Sequence, residues 1–385
     1  MGQGTHQIEA SYQIVTPMFL GDGDAKRVAD AIRPPSVKGA LRFWWRAMAW
    51  SRLYDGNEAS TLKKVHREEA ALFGAAADEK SGGQGKFLLQ VESDVKTTGR
   101  PNNIDSGQAY LLGQGLHHFR NGPTRDALIS GSFTLRLRLR PRVSDEQRRQ
   151  LADTLLLFGL LGGLGSRSRR GWGSVSITDL QGDHEGRQTP ADRNTYFDTL
   201  RSLLNGSQAY PGIPPYSAFS TQTRIDVSDT DSSATALLSR AGEEMQLFRS
   251  FGRKNKVNGK KAEQNFRDDH DLIFRAINRE EKSNQLPRRT VFGLPHNYFF
   301  SSIKKKMDIA PSDAGRTRRA SPLLVHIQAL PNGQCLLVQT MMIARFLPKG
   351  SKINRGKFPV PAPDPDWQVL HAYMDRFSMS EPLFP

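Results

Sequence analysis

Residues Thr134-Leu-Arg-Leu-Arg-Leu-Arg140 alternate apolar and cationic side chains without a break. Side chains on a strand repeat every two residues, so Leu135, Leu137 and Leu139 share one face and Arg136, Arg138 and Arg140 share the other. This is a half-buried strand, and the elements around it follow from similar signals. His6 to Val15 reads as a first strand, leading through Thr16-Pro17 into a turn at Gly21-Asp22-Gly23-Asp24. A helix starts at Val37 behind a Ser36 cap, after Pro34 and Pro35, and runs to about Tyr54. A second helical pattern covers Thr61 to Phe73, a breaker lies at Ser81 to Gly85, and Lys86 to Val91 is a strand. Asp94 to Asn121, rich in Gly and Asn, has little periodicity and reads as an insertion or long loop. Ser144 to Leu161 is a helix with Asp145 and Glu146 where the dipole favours acids, and Val175 to Leu180 is the next strand. With the insertion and the extra helix set aside, the order is strand, helix, strand, strand, helix, strand, the ferredoxin-like or RRM-like pattern.

The polar run Gly182 to Asp192 reads as a linker, which places an N-terminal domain at residues 1–185 and a C-terminal one at 186–385. In the second half, helices are expected at Asn194 to Leu204, Ala234 to Phe251 and Asp268 to Glu281, with a strand at Thr223 to Val227. Leu323 to Ala329 and Gln334 to Ile343 flank Pro331-Asn332-Gly333, a hairpin signal. These mixed elements suit a second α+β domain.

Lys and Arg total 54 against 39 Asp and Glu, a net charge of +15, so a polyanion is the first partner to consider. A membrane surface is the other, yet the most apolar stretch, Leu155 to Leu164, is about half a spanning length and carries glycines. His6 stands where a myristoylation signal needs Ser or Thr, and no signal-peptide core follows Met1. The single cysteine, Cys335, lies in an apolar run and reads as core, in keeping with a reducing, cytoplasmic setting.

Two segments carry binding chemistry. On a helix, Lys38, Arg42 and Arg46 are spaced i, i+4, i+8 and fall on one face with Trp45 beside them, while Leu41, Trp44 and Met48 form a core stripe. Cations next to an exposed ring suit single-stranded RNA, because the charges follow phosphates and the ring stacks a base. The alternative is a solvated basic face with both tryptophans buried. The second segment is Gly162-Gly-Leu-Gly-Ser-Arg-Ser-Arg-Arg-Gly-Trp-Gly173. Its glycines permit close backbone approach, and Arg167, Arg169 and Arg170 are placed to clamp phosphates, the alternative being a flexible connector. It is neither a Walker loop nor a Rossmann fingerprint, so no nucleotide cofactor is expected. Its match to the RNP1 consensus is partial, with Ser174 and Ile177 where aromatics belong. Further basic clusters, Arg253 to Lys261, Lys304 to Lys306 and Arg316 to Arg319, read first as solvated loops.

Catalytic constellations are scarce. The sequence contains no His-Glu-x-x-His, no paired-carboxylate metal motif and no Gly-x-Ser-x-Gly elbow, so neither a metal site nor an active site is expected. His117 and His118 are the one candidate base pair, for metal-independent RNA cleavage. A surface histidine pair is the plainer explanation.

Thr16-Pro-Met-Phe-Leu-Gly21 together with Arg33-Pro-Pro-Ser-Val-Lys-Gly-Ala-Leu-Arg-Phe-Trp-Trp-Arg-Ala47 resembles the N-terminal signature of the first-subunit family of Cmr (type III-B CRISPR) complexes. Gly162 to Ser174 resembles the glycine-rich loop of the RAMP superfamily, and Phe292-Gly-Leu-Pro295 and Arg319-Ala-Ser-Pro-Leu323 are similar to motifs of the C-terminal half. The resemblance implies an α+β chain of two ferredoxin-like domains in tandem with insertions. It further implies a subunit without a nuclease site that holds the 3′ portion of the guide RNA, helps engage target RNA and adjoins other RAMP subunits. The RNA-contacting positions it implies are Arg33, Lys38, Arg42, Trp45 and Arg46, with Gly165, Ser166, Arg167, Arg169, Arg170, Gly171 and Trp172 of the loop. An endoribonuclease that processes guide RNA is the alternative.

Overall fold

A computed structural model of the protein describes residues 6–22, 29–76, 83–182, 185–207, 210–279, 284–312, 318–356, 358–362, 364–377 and 380–383. Gly23, Asp24, Ser81, Gly82, Asp183, His184, Glu280, Glu281, Arg316 and Thr317, which belong to turns, linker, helix end and basic cluster expected above, lie outside the described residues.

The protein is mixed α/β with antiparallel sheets. Strand β1 (Gln7–Ile14) is followed by α1 (Pro34–Leu53) and α2 (Glu58–Phe73), then β2 (Phe87–Gly99), α3 (Ser106–Leu112), β3 (Ala127–Leu139), α4 (Asp145–Leu161) and β4 (Val175–Gln181). The sheet order is β2-β3-β1-β4, and every neighbouring pair is antiparallel. The alternation at 134–140 is seen directly: Leu135 and Leu137 are fully buried, and Leu139 nearly so. On the opposite face Arg136 pairs with Glu9 at 2.6 Å and with Glu92 of the other neighbouring strand, so much of its charge is met within the sheet. Helices α1 and α4 cover the apolar face. Tyr12 stacks on Phe133 with ring centroids 5.0 Å apart and donates its hydroxyl to the Leu155 carbonyl at 2.9 Å.

Helix α1 begins three residues earlier than expected. Arg33, in an extended conformation, is the N-cap, and both prolines lie in the first turn, where a fixed φ and a missing N–H carry no penalty. Ser36 is therefore helical and caps nothing. Ser144 does cap α4, exchanging hydrogen bonds with Gln147 in a reciprocal box.

The second half contains α5 (Arg193–Leu204), β5 (Thr223–Ser228), α6 (Ala234–Arg249), α7 (Arg267–Arg279), β6 (His296–Phe300), β7 (Lys305–Pro311), β8 (Leu323–Ala329) and β9 (Cys335–Met342). It closes with β10 (Lys352–Arg355), β11 (Phe358–Pro361), α8 (Gln368–Met374) and β12 (Ser380–Pro382). One sheet has the order β8-β9-β5-β12, again antiparallel throughout. A third sheet, β6-β7-β10-β11, has its own core around Ile273, Tyr298, Ile309 and Ile353. Its strands are four to seven residues long and carry lysines and prolines, so local periodicity does not announce them.

The segment 94–121 is not the structureless loop that its composition suggests. Strand β2 continues to Gly99 against β3, and Asp105 caps α3 by accepting from the Gln108 N–H at 2.9 Å. Helix α3 then docks on α6 through a glycine contact: a Cβ on Gly107 would overlap the Ser239 carbonyl, and one on Gly242 would overlap the Gly107 backbone. Gly107→Ala is expected to force the two helices apart and cost about 1–3 kcal/mol. A urea titration comparing this variant with Gly39→Ala, where a Cβ meets nothing within 4 Å, checks it.

The two halves meet along β4 and β8. Ile327 N donates to Ser174 Oγ at 3.1 Å, Ala329 N to Ser176 Oγ at 2.8 Å, and Val325 N to the Arg169 carbonyl at 3.0 Å. The glycine-rich loop thus lies in the seam. Among the described residues no helix is long and apolar enough to cross a membrane.

Candidate nucleic-acid interface

Helix α1 presents Lys38, Arg42 and Arg46 half-exposed on one face, as their spacing requires. Glu69 of α2, almost completely buried, receives Arg42 Nε at 2.5 Å and Arg46 Nη1 at 3.0 Å on the same oxygen. One carboxylate shared by two guanidiniums leaves a net positive charge while fixing both side chains. Lys38 has its pKa lowered by partial burial and by Arg42 next along the row. Arg33 is exposed at the N-cap.

The loop is built differently from the flexible clamp its composition suggests. Gly165 takes a positive φ of 84°, and a Cβ there would come within 2.8 Å of the Phe19 backbone, so only glycine fits. Ser166 N donates to the Phe19 carbonyl at 2.9 Å, and Ser166 Oγ accepts from Arg125 Nη2 at 2.6 Å. The Gly171 carbonyl accepts from Thr16 Oγ1 at 2.6 Å. The arginines are held by carbonyls: Arg167 Nε by Leu112 at 2.6 Å, Arg169 Nη1 by Ser321 at 3.1 Å, Arg170 Nη1 by Leu111 at 3.3 Å. Burial, then Arg319, lowers the Arg169 pKa to about 10; burial, then Arg249 and Arg167, does the same for Arg170. Both remain cationic at neutral pH.

Helix and loop come together at one place. Arg169 lies 4.8 Å over the ring of Phe43, one turn before Arg46 on α1. Phe43, Arg46 and Arg169 line a cleft of about 790 Å³, closed from the second half by Tyr216, Arg318, Arg319, Arg345 and Phe346. Arg345 is held bidentately by Glu58 at 2.9 and 2.5 Å, and Arg319 donates to the Phe346 carbonyl at 2.6 Å. Arg318 is exposed and meets no partner among the described residues. Five arginines against Glu58 and Glu69 make the cleft strongly positive, a groove that concentrates polyanions.

Two expected positions are corrected. Trp45 is 1% exposed, donates Nε1 to Gln150 Oε1 at 3.0 Å and packs edge-on against Phe73, so no ring face is open to a base. Trp172 is also 1% exposed, edge-on to Phe19 in the core beneath the loop. Both are buried because α1 and the loop are packed on more than one side. Tyr216, Arg319 and Arg345 were not singled out individually by the sequence. The basic run at 316–319 and the motif Arg319-Ala-Ser-Pro-Leu323 are the signals toward this wall, whereas Arg345 stands alone in an apolar stretch. His117 and His118 lie on a two-residue strand paired with 122–123, and adjacent strand residues point to opposite faces. No cluster of three or more His, Cys, Asp or Glu that could hold a metal occurs among the described residues.

Residues 11–176 match the family model of the RAMP superfamily. Over 189 residues the chain is 26% identical to the CRISPR system Cmr subunit Cmr1-2 of Pyrococcus furiosus, covering 44% of this chain and 94% of that one. It is 32% identical over 148 residues to Cmr1-1 of the same organism, covering 38% of this chain and 40% of that one. The crystal structure of apo Cmr1 from Pyrococcus furiosus shares the fold with a TM-score of 0.60 at 18% identity, over 98% of both chains. A chain in the cryo-EM structure of type III-B Cmr-beta bound to cognate target RNA and AMPPnP, in the presence of single-stranded DNA, gives 0.52 at 12% identity, over 96% of this chain and 98% of that one. The signature at 33–47, the glycine-rich loop and these relationships agree: residues 11–176 match the RAMP superfamily, and the chain is similar to Cmr1 subunits.

Proposed function

We propose that the chain is the Cmr1-type subunit of a type III-B CRISPR effector complex and that it holds RNA without cutting it. Its ligands are the 3′ portion of the guide RNA and the target RNA, and its protein neighbours are other RAMP subunits in the cytoplasm. The observation that carries this reading is the convergence of Arg46 from α1 and Arg169 from the glycine-rich loop on one arginine-lined cleft. We read each half, 1–185 and 186–385, as a ferredoxin-like unit. The support is a common order in which the first and third strands of each unit are central and the second and fourth are outermost. The third sheet and α7 then count as insertions in the second unit.

Non-catalysis is supported by the placement of the only histidine pair. Two imidazoles pointing to opposite faces of a short strand cannot act together on one phosphodiester. Purified protein incubated with labelled repeat RNA in EDTA is therefore expected to leave it intact, while retaining it in a filter-binding assay. Specific cutting that disappears in His117→Ala or His118→Ala would replace this reading with the endoribonuclease one.

A further inference from the structure

A second group of cations meets in the seam, built from residues other than those lining the cleft. Arg170 reaches the Leu111 carbonyl at 3.3 Å, and next to it the Arg249 guanidinium lies 5.9 Å from the ring centroid of Tyr110 and 4.6 Å from that of Phe292. Arg249 Nη2 is 3.4 Å from His296 Nε2, and Arg289 donates to the Arg249 carbonyl at 2.9 Å while lying 4.7 Å over Tyr298. None of the three arginines forms an ion pair among the described residues, and Nε of both Arg249 and Arg289 is buried with no hydrogen-bond partner. One carboxylate, Asp269, is near Arg289, and its two oxygens already accept the backbone N–H groups of Arg288 and Arg289 at 2.8 Å. Burial, reinforced by Arg249, Arg289 and Arg170, holds the pKa of His296 well below its ordinary value.

Three guanidiniums and one carboxylate leave a surplus of positive charge in a setting largely withdrawn from water. Unpaired charge there is costly, and surfaces that keep it are those that receive an anion. Arg170, Arg249 and Arg289 are each partly exposed, so the group is reached from solvent. Guanidinium forks from three elements match a tetrahedral anion with several acceptor oxygens better than a planar carboxylate.

We propose that Arg170, Arg249, Arg289 and His296 form a phosphate-binding site distinct from the cleft. The phosphate is either a phosphodiester of a bound RNA strand, which rests on the RNA-holding reading, or a free phosphate, which does not. The full chain is titrated with inorganic phosphate, and its melting temperature is compared with that in sodium chloride of equal ionic strength. A saturable rise in the wild type, lost in Arg249→Gln and partly retained in Arg249→Lys, is the expected result. Arg46→Gln/Arg318→Gln keeps the rise, which separates this site from the cleft. A tenfold loss of single-stranded RNA affinity in Arg249→Gln assigns the site to a phosphodiester, and unchanged RNA affinity assigns it to free phosphate. Should Arg249→Gln fail to fold, Arg170→Gln takes its place in both arms. A wild type that gains nothing over chloride, or a variant that keeps the whole rise, overturns the proposal.

Discussion

Arg46→Gln/Arg318→Gln is expected to bind single-stranded RNA about a hundredfold more weakly than the wild type at low salt. Each arginine is assigned one phosphate contact of about 1.4 kcal/mol, the lower end of the range for hydrogen bonds to charged groups. These two are chosen because they reach the cleft from different halves and differ in support. Arg46 is steadied by Glu69 at 3.0 Å, whereas Arg318 is exposed and unpartnered among the described residues. The discriminating measurement is the salt dependence. Losing two phosphate contacts flattens the slope of log K against log[salt] by about 1.4, from roughly 0.7 per phosphate on a single strand. A variant that loses affinity with an unchanged slope has been disturbed by altered folding. A variant that loses neither places the RNA outside this cleft. Arg345 is avoided as a test because removing it strands Glu58, its bidentate partner, and confounds affinity with stability.

The first sheet was legible because each of its strands has a local signature. The Leu/Arg alternation names its own buried face, and Ser144 with Gln147 marks the start of α4. The region 94–121 was not, because the end of β2 is a strand only through pairing with β3 about thirty residues away. Composition reports Gly and Asn there and says nothing about a partner. The same limit hid β6, β7, β10 and β11, whose register depends on one another and on packing against Ile273 of α7. At the site, the cation row on α1 and the loop arginines could be found as motifs, but not their destinations. Only the fold turns Arg169 toward Phe43 and Arg170 toward Tyr110, two neighbours in sequence serving different surfaces. The wall formed by Arg318, Arg319 and Arg345 comes from two separate segments: 316–323 carries a linear signal, and Arg345 has none.

Trp45→Ala is expected to cost about 3–5 kcal/mol of stability and to leave the RNA affinity of the folded protein within a factor of about two. Sequence spacing sets Trp45 beside the cation row, yet helix α1 buries Val37, Leu41, Trp44, Trp45, Ala47, Ala49 and Trp50, an apolar arc too wide for a surface helix with one core face. The reason is that α2 and α4 both pack against it. The indole edge of Trp45 borders a different cleft, of about 710 Å³, where Arg52, Arg149 and Arg187 are matched by Glu146, Asp153, Glu185 and Asp198. A groove with that balance of charge does not gather a polyanion. A base-stacking tryptophan would behave in the opposite way, losing 1–3 kcal/mol of binding on truncation with little change in folding. Trp45→Phe is intermediate, because it keeps one aromatic ring in the core while losing the bond to Gln150, worth about 1 kcal/mol, and the packing of the rest of the indole. Denaturant midpoints ordered wild type, Phe, Ala, with RNA titrations superimposed for all three below their midpoints, would assign Trp45 to the core. RNA titrations that separate while the midpoints coincide would return it to the interface.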